Sequence, residues 1–226
     1  MVVRTFTFAI VARSAETGRL GVAVCASLPA VGAYVPAARA GVGAVTVQGA
    51  ADPALRRRLL DRLAEGLDAE EALERELGDD PGRDARQVAV IGRNGHAAAW
   101  TGEGVAGYAG HRAGPEAAVV GSHLAAPDVL AAMERAFSQS SAHDLPERLM
   151  RALEAAAAQG GDARGHRSAA LQVVDVDGYP YADLRVDEHP RPLEELRRLV
   201  DLAAERILPG YGAWVASLRR GRGTGA

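Results

Sequence analysis

The sequence predicts an α+β protein, a four-layer αββα sandwich in which two antiparallel sheets pack together between two layers of helices. Three observations lead to this fold class. Short strands rich in Val, Ile and Ala follow one another as hairpins, which favours antiparallel sheets. Amphipathic helices come in pairs, so each sheet has one helical face. No linker or change in composition divides the chain, and we expect one domain over 1–208 and a flexible tail over 209–226.

Turn residues and hydrophobic periodicity define the elements of the first half of the chain. Residues 14–19 supply the turn of a first hairpin, and Asn94-Gly95 is a strong signal for another. Asp52-Pro53 begins a helix, because Asp caps helix N-termini and Pro is favoured in the first turn. In order, we predict strands at 5–13, 20–27 and 42–48, a helix from Pro53, a helix at 68–77 and a hairpin over 86–101.

The second half of the chain begins with a glycine-rich loop and continues with strands and helices. Asp144 is followed three residues later by Glu147, which is the pattern of a capping box. Asp177-Gly178 marks the turn of a third hairpin. In order, we predict a loop at 102–115, a strand at 117–121, helices at 127–140 and 144–159, strands at 168–175 and 180–186, and a helix at 192–208.

Composition excludes several classes of function. The 226 residues include 26 basic and 29 acidic side chains, and the net charge of −3 gives no reason to expect nucleic acid as a partner. Every basic residue is arginine, which excludes a Schiff-base lysine, a phosphate-loop lysine and a Ser–Lys dyad. The single Cys25 excludes a disulfide framework and is predicted to be a small buried side chain.

The distribution of apolar and histidine residues bears on location and cofactors. No apolar stretch approaches the ~20 residues that span a bilayer, and the opening residues lack a signal-peptide cleavage region. We therefore expect no membrane partner and a cytoplasmic location. The histidines show no metal-ligand spacing, so we expect neither a metal nor another cofactor.

Seven sequence blocks, spread from residue 7 to about 205, resemble one family, that of the domain of unknown function 1028. The blocks are TFAIVAR (7–13), TGRLGVAV (17–24), VPAARAGVGA (35–44), GYAGH (107–111), GGDARG (160–165), SAAL (168–171) and DLRVDEHP (183–190). That family is regarded as similar to the N-terminal nucleophile (Ntn) hydrolases. The resemblance implies an Ntn-hydrolase-like sandwich without a settled substrate.

The same resemblance implies that Thr7 is the nucleophile, because Thr7 matches the N-terminal threonine of the family. In an Ntn enzyme the α-amine of that residue is the base, and its ordinary pKa of roughly 7.7–8.0 suits this role. Six residues precede Thr7 here, so the amine requires cleavage of the Phe6–Thr7 bond or a later start of translation. Thr5 is a weaker candidate, and Thr7 as an ordinary β-branched strand residue is the structural alternative.

Other candidate site residues follow from the same comparison. Arg39 is predicted at the start of the third strand, where Ntn enzymes often place a cation beside the nucleophile. Gln48 and Gly49 end that strand and are candidates for backbone donors to an oxyanion, although a plain strand-to-helix turn explains them equally well. The remaining candidates for substrate binding are Ser122, His123, Asp162 and Arg164. Ser122-His123 stands where the family more often has asparagine after glycine.

A second group of charges lies in the last block of the resemblance. Asp183, Arg185 and Asp187 alternate along one predicted strand, so they face one side together. We expect them to form ion pairs near the sheet edge, with Arg164 or Arg39 as possible partners, rather than to take part in catalysis.

Three functions remain open at this point. The first is an amide-bond hydrolase that acts on a small substrate through Thr7. The second is a binding or assembly protein without catalysis on the same scaffold, which the six leading residues and the missing asparagine favour. The third is a peptidoglycan-related amidase, which rests on family association alone. Exposed sheet edges and family habit also favour a homo-oligomer.

Overall fold

Two antiparallel sheets form the centre of the molecule in the computed structural model, which describes residues 4–5, 7–175 and 177–222. The strands are β1 (Arg4–Thr5), β2 (Thr7–Arg13), β3 (Leu20–Ala26), β4 (Pro36–Arg39), β5 (Gly43–Ala50), β6 (Arg86–Gly92), β7 (Gly95–Thr101), β8 (Gly110–Ala113), β9 (Ala117–Gly121), β10 (Ser168–Val174) and β11 (Pro180–Val186). The five-strand sheet has the order β1-β5-β6-β7, with β4 also paired to β5. The six-strand sheet has the order β11-β10-β3-β2-β9-β8.

Helices cover the outer face of each sheet, apart from one short helix at 31–34 that buries Val31 in the layer between the sheets. They are α1 (Val31–Tyr34), α2 (Pro53–Ala64), α3 (Ala69–Gly78), α4 (Val129–Gln139), α5 (Leu145–Ala158), α6 (Pro192–Arg206) and α7 (Tyr211–Arg222). Buried side chains of α2 and α3 pack on the five-strand sheet, and those of α4 to α7 pack on the six-strand sheet. The predicted four-layer αββα sandwich is therefore confirmed.

The layer between the sheets is built from small side chains. Ten alanines join Val, Leu and Ile side chains there: Ala9, Ala26, Ala38, Ala40, Ala44, Ala89, Ala97, Ala99, Ala118 and Ala170. Because side chains alternate along a strand, every second residue of each central strand faces this layer. The small side chains allow the two backbones to approach closely.

Several elements differ from the sequence prediction. Residues 31–34 form the short helix α1. Residues 36–39 form β4, where no element was predicted, and residues 110–113 form β8, within a predicted loop. Both are four-residue strands that depend on pairing with β5 and β9, so their own periodicity is weak. The expected tail from Pro209 forms a turn and then α7, in which Tyr211 and Val215 are buried against the helix-side core.

Helix capping also differs from the prediction at one position. Asp144 caps α5 by accepting a hydrogen bond from the Leu145 backbone N–H, and Glu147 instead pairs with arginines of α5 and α6. A complete capping box is found at Asp68 and Glu71, at the start of α3. No helix among the described residues is long and apolar enough to cross a membrane.

We predict that Leu149→Ala lowers the free energy of unfolding by about 2–5 kcal/mol. Leu149 is fully buried in α5, and its Cδ1 lies where a side chain at Gly21 would begin, so truncation leaves a cavity against bare strand backbone. Chemical denaturation of both proteins measures the change. Leu149→Met is the matched control, with an expected cost below about 1.5 kcal/mol; equal losses in the two variants would contradict the cavity explanation.

Candidate active site

Thr7 lies at the first position of β2, in the middle of the six-strand sheet. Its side chain faces the layer between the sheets, because it alternates with Ala9 and Val11, which pack there. Its carbonyl oxygen accepts two hydrogen bonds, from the Ser122 backbone N–H (3.0 Å) and from the Gln48 side-chain amide (3.1 Å). The Gln48 bond comes from the other sheet. Thr7 is therefore fixed by both sheets at once.

A row of polar side chains continues from Thr7 across the five-strand sheet. The Gln48 amide Nε2 also lies 2.6 Å from Gln87 Oε1. Gln87 Nε2 in turn donates to Thr101 Oγ1 and to the carbonyl oxygens of Gly110 and Gly121, all at 2.9 Å. The two carbonyls belong to the six-strand sheet, so Gln87, like Gln48, joins the sheets.

The row ends at the protein surface. Thr101 Oγ1 lies 2.9 Å from Nδ1 of His111, whose side chain is exposed on β8. Burial of part of the ring lowers the pKa of His111 below its ordinary value, so His111 is mainly neutral at pH 7. The polar row therefore runs from a buried threonine to an exposed neutral histidine.

Several buried polar atoms at this end of the sandwich have no hydrogen-bond partner among the described residues. They are the hydroxyl oxygens of Thr5, Thr7, Thr46 and Ser122 and the amide oxygen of Gln48. All five residues are completely buried. An unsatisfied buried polar group costs about 1–3 kcal/mol. Gln48 and Ser122 both bond the Thr7 carbonyl, so these three residues form one polar site that the stability of the fold does not require.

Strand β1 lies just before Thr7 in the chain and pairs with the end of β5. In β1, Arg4 pairs with Ala50 and Thr5 pairs with Gly49 at the end of β5. Gly49 has a φ of +77°, and a Cβ there would lie 2.4 Å from the Ala85 carbonyl oxygen, so the close turn requires glycine. Phe6, and with it the predicted cleavage point, lies outside the described residues.

Two of the predicted site residues, Asp162 and Arg164, form a separate cluster with each other. Asp162 is buried and accepts hydrogen bonds from the Arg164 backbone N–H (3.0 Å) and from its guanidinium (2.6 and 2.9 Å). The neighbouring His166 ring stacks edge-on against Phe8, which belongs to the helix-side core. Asp162 and His166 thus lie on the Phe8 side of β2, the face opposite Thr7.

Ser122 and His123 connect Thr7 with the loop that carries Asp162. Ser122 bonds the Thr7 carbonyl through its backbone, and its hydroxyl is one of the buried unpartnered groups. His123 has a φ of +50°, and its ring packs directly on Gly107. Its carbonyl oxygen accepts the Ala163 backbone N–H at 2.9 Å, which holds the loop of Asp162 in place.

Arg39 does not start the third strand, and this part of the prediction was wrong. Arg39 ends β4, where it shares a face with Ala37, which packs on the helix side of the sheet. Its guanidinium forms an ion pair with Asp61 of α2 (2.8 Å) and donates to the Leu60 carbonyl (3.4 Å). The structure therefore does not bring Arg39 to Thr7.

Two further predictions concern residues outside the Thr7 cluster. Asp183 and Arg185 form the expected ion pair on β11 (3.1 Å), but Arg164 and Arg39 pair elsewhere.

Cys25 is completely buried on β3, as predicted for a small side chain. Burial, with a smaller effect of Asp162, raises the pKa of its thiol far above the ordinary value, so Cys25 remains protonated.

Sequence reasoning missed Gln87, Thr101 and His111. Gln87 could have been found from the alternation of side chains along the strands. Gln48 and Gln87 are polar residues at inner-face positions of two mainly apolar strands, and they are paired in register. No group of three or more possible metal ligands occurs among the described residues.

Fold and site together define a four-layer αββα sandwich protein with a threonine at the start of a central strand, held in a neutral polar cluster between the sheets. Residues 7–196 match the "Family of unknown function (DUF1028)", and the chain belongs to this family. The crystal structure of protein SPO2555 from Silicibacter pomeroyi, of the same family, is 31% identical, with a TM-score of 0.82 over 91% of this chain and 93% of that one.

A weaker likeness is to Anbu (ancestral beta-subunit) from Yersinia bercovieri. It is 10% identical, with a TM-score of 0.47 over 94% of this chain and 96% of that one. None of the curated proteins matches this sequence.

We predict that Gln87→Leu destabilises the protein by at least about 2 kcal/mol, because it leaves the Gly110 and Gly121 carbonyls without their donor. Thermal and denaturant unfolding measure the loss. Gln172→Leu is the matched control, since the half-buried Gln172 on β10 donates only to Asp183 at 3.3 Å and should cost within about 0.5 kcal/mol. Similar losses in both variants would show that Gln87 does not join the sheets.

We also predict that His166 makes the protein less stable in mild acid. Burial lowers the pKa of His166, and the charge of Asp162 only partly opposes this. The unfolded chain, with a pKa of about 6.5, therefore binds the proton more readily, and stability is lost as the pH falls through that value. The loss grows by up to about 1.4 kcal/mol per pH unit. Unfolding curves between pH 5 and 7.5 should be flatter for His166→Gln; parallel curves would contradict this.

Proposed function

We propose that this protein is an amide-bond hydrolase of the Ntn type, with Thr7 as its nucleophile after release of the residues before it. The observation that carries the proposal is the environment of Thr7. Its hydroxyl is buried without a partner in a cluster of neutral polar groups, and its main chain is held from both sheets.

The chemistry of the cluster explains why the α-amine is needed. Thr5, Thr7, Thr46, Gln48, Gln87 and Ser122 carry only hydroxyl and amide groups, none of which accepts a proton at neutral pH. A threonine hydroxyl is a weak nucleophile without a base. The amine of a chain that begins at Thr7 supplies that base beside the hydroxyl, with a pKa of roughly 7.7–8.0.

The reaction then proceeds in two stages. Thr7 Oγ forms a bond to the substrate carbonyl carbon while its proton moves to the α-amine, and backbone N–H groups such as that of Gly49 stabilise the oxyanion. The amine passes the proton to the leaving nitrogen as the C–N bond breaks, which leaves an ester on Thr7. Water then adds to the ester, the amine accepts its proton, and cleavage of the ester returns the hydroxyl and releases a carboxylic acid.

The position of β1 supports release of the leading residues. β1 ends two residues before Thr7 and pairs with the end of β5 at Gly49 and Ala50, and Thr7 is completely buried. Removal of these residues would create the amine and open the polar site in one step. The substrate class that fits the site is a small amide, because the groups around Thr7 form hydrogen bonds but carry no charge.

The same burial supports a second candidate function. If β1 stays in place, Thr7 keeps an amide nitrogen and no route to solvent, and the scaffold would serve as a binding or assembly protein. A peptidoglycan-related amidase is a narrower form of the hydrolase proposal. Release of amines from muropeptides by the processed chain would support that form.

The first test is the intact mass and N-terminal sequence of purified protein, with and without Thr7. We expect a chain that begins at Thr7, because a threonine hydroxyl is a nucleophile that can attack the peptide bond before it. Thr7→Ala should remain uncut, and Thr7→Ser should be cut.

Thr5→Ala is the matched control, since Thr5 is also buried with an unpartnered hydroxyl but lies before the cut. It should be processed normally. A wild-type chain that keeps the residues before Thr7 would reject the hydrolase proposal and favour the binding protein.

A further inference from the structure

A cleft lined by three arginines opens at the side of the sandwich away from Thr7. The arginine cleft, as we call it, has a volume of about 410 Å³ and lies between β4 and the start of α2 on one side and β10 and β11 on the other. Arg56 and Arg57 line it from α2, and Arg185 lines it from β11. Its volume falls in the range of small-molecule sites.

The cleft carries an excess of positive charge. Among the described residues, Arg56 and Arg57 have no carboxylate oxygen within ion-pair distance. Arg56 donates to the carbonyl oxygens of Pro36 and Ala33 (3.1 Å for Ala33), and its Nε is buried without a partner. Asp183 is the one acidic residue that lines the cleft, and it is already paired with Arg185.

The positive charges of Arg57 and Arg185 lie close enough to Arg56 to affect it. Burial lowers the pKa of Arg56, and the positive charges of Arg57 and Arg185 lower it further, against a small opposing effect of Asp52. An anion between these groups would relieve that repulsion. Guanidinium groups are well suited to this role, because they bind carboxylate and phosphate oxygens through two parallel N–H donors.

The rest of the cleft wall is mainly apolar, although Gln172 also lines it. Ala33, Pro36, Ala37 and Leu171 line it, together with Gly32 of α1. A Cβ at Gly32 would lie 2.8 Å from the Ala170 Cβ and 3.2 Å from the Arg185 Cδ, so glycine leaves room for the Arg185 side chain to cross the cleft. Apolar walls beside fixed charges favour a ligand with a carbon body and an acidic group over a bare inorganic ion.

We propose that the arginine cleft is a binding site for a small organic acid, whose carboxylate is held by Arg56, Arg57 and Arg185 and whose apolar part lies against the alanine and proline wall. The site does not depend on the proposed hydrolase function. Arg185 lies on β11 and Thr7 on β2, with β3 and β10 between them.

Calorimetric titration of the full chain tests the site with three probes: benzoate, the neutral amide benzamide and inorganic phosphate. We expect saturable binding of benzoate, weakened by added salt because charge attraction contributes to it. Benzamide should bind at least about tenfold more weakly, since it lacks the charge that strengthens hydrogen bonds to guanidinium.

Substitutions locate the site. Arg57→Gln and Arg185→Gln should each weaken benzoate binding by at least about fivefold. Arg57 is exposed on α2 and forms no ion pair with any described residue, so its loss should not unfold the protein. Arg75→Gln is the matched control, because Arg75 is an exposed helical arginine on α3, away from the cleft.

Four outcomes would overturn the proposal. The first is that benzoate does not bind at millimolar concentration. The second is that Arg75→Gln weakens its binding as much as Arg57→Gln does. Equal binding of benzamide would remove the role of charge. Tighter binding of phosphate than of benzoate would identify an inorganic anion site and reject the organic acid.

Discussion

The hydrogen bond between the side chains of Gln48 and Gln87 is the interaction on which this end of the sandwich depends. The two amides lie opposite each other on β5 and β6, 2.6 Å apart and completely buried. Each also bonds a carbonyl of the other sheet, Gln48 that of Thr7 and Gln87 those of Gly110 and Gly121. Because buried amides are costly to leave unpaired, these bonds fix the sheets to each other in one register.

The layer between the sheets therefore has two parts: a packed apolar middle that stabilises the fold, and a polar end that holds the candidate active site. In its middle, alanine and valine side chains exclude water, and packing stabilises the fold. At the Thr7 end, hydroxyl groups are buried without hydrogen-bond partners. They do not stabilise the fold, but they give this end of the layer a polar surface. The catalytic hypothesis needs no charged side chain in this surface, because the main chain itself would supply the base.

The sequence predicts the layers of this fold better than its site. Hairpins at 5–27, 86–101 and 168–186 follow from local turns and alternation, so they could be found without tertiary information. Arg39 could not be placed, because its face depends on where β4 ends, and β4 exists only through pairing with β5. Gln87 was missed because a buried glutamine looks like an ordinary strand residue until its partner across the sheet is known. Thr7 was found through family resemblance, which local patterns alone would not have provided.

The alanine-rich layer has a consequence for how such proteins can change over time. Side chains this small act as spacers, and their size determines the gap across which Gln48 reaches the Thr7 carbonyl. A single enlargement, such as Ala89→Leu, would push the sheets apart and lengthen a bond far from the altered residue. Growth on one sheet therefore requires an equal reduction on the other, and a layer this rich in alanine has few larger side chains left to reduce. Sequence drift should be slower across this layer than on either helical face, even where no side chain touches the threonine.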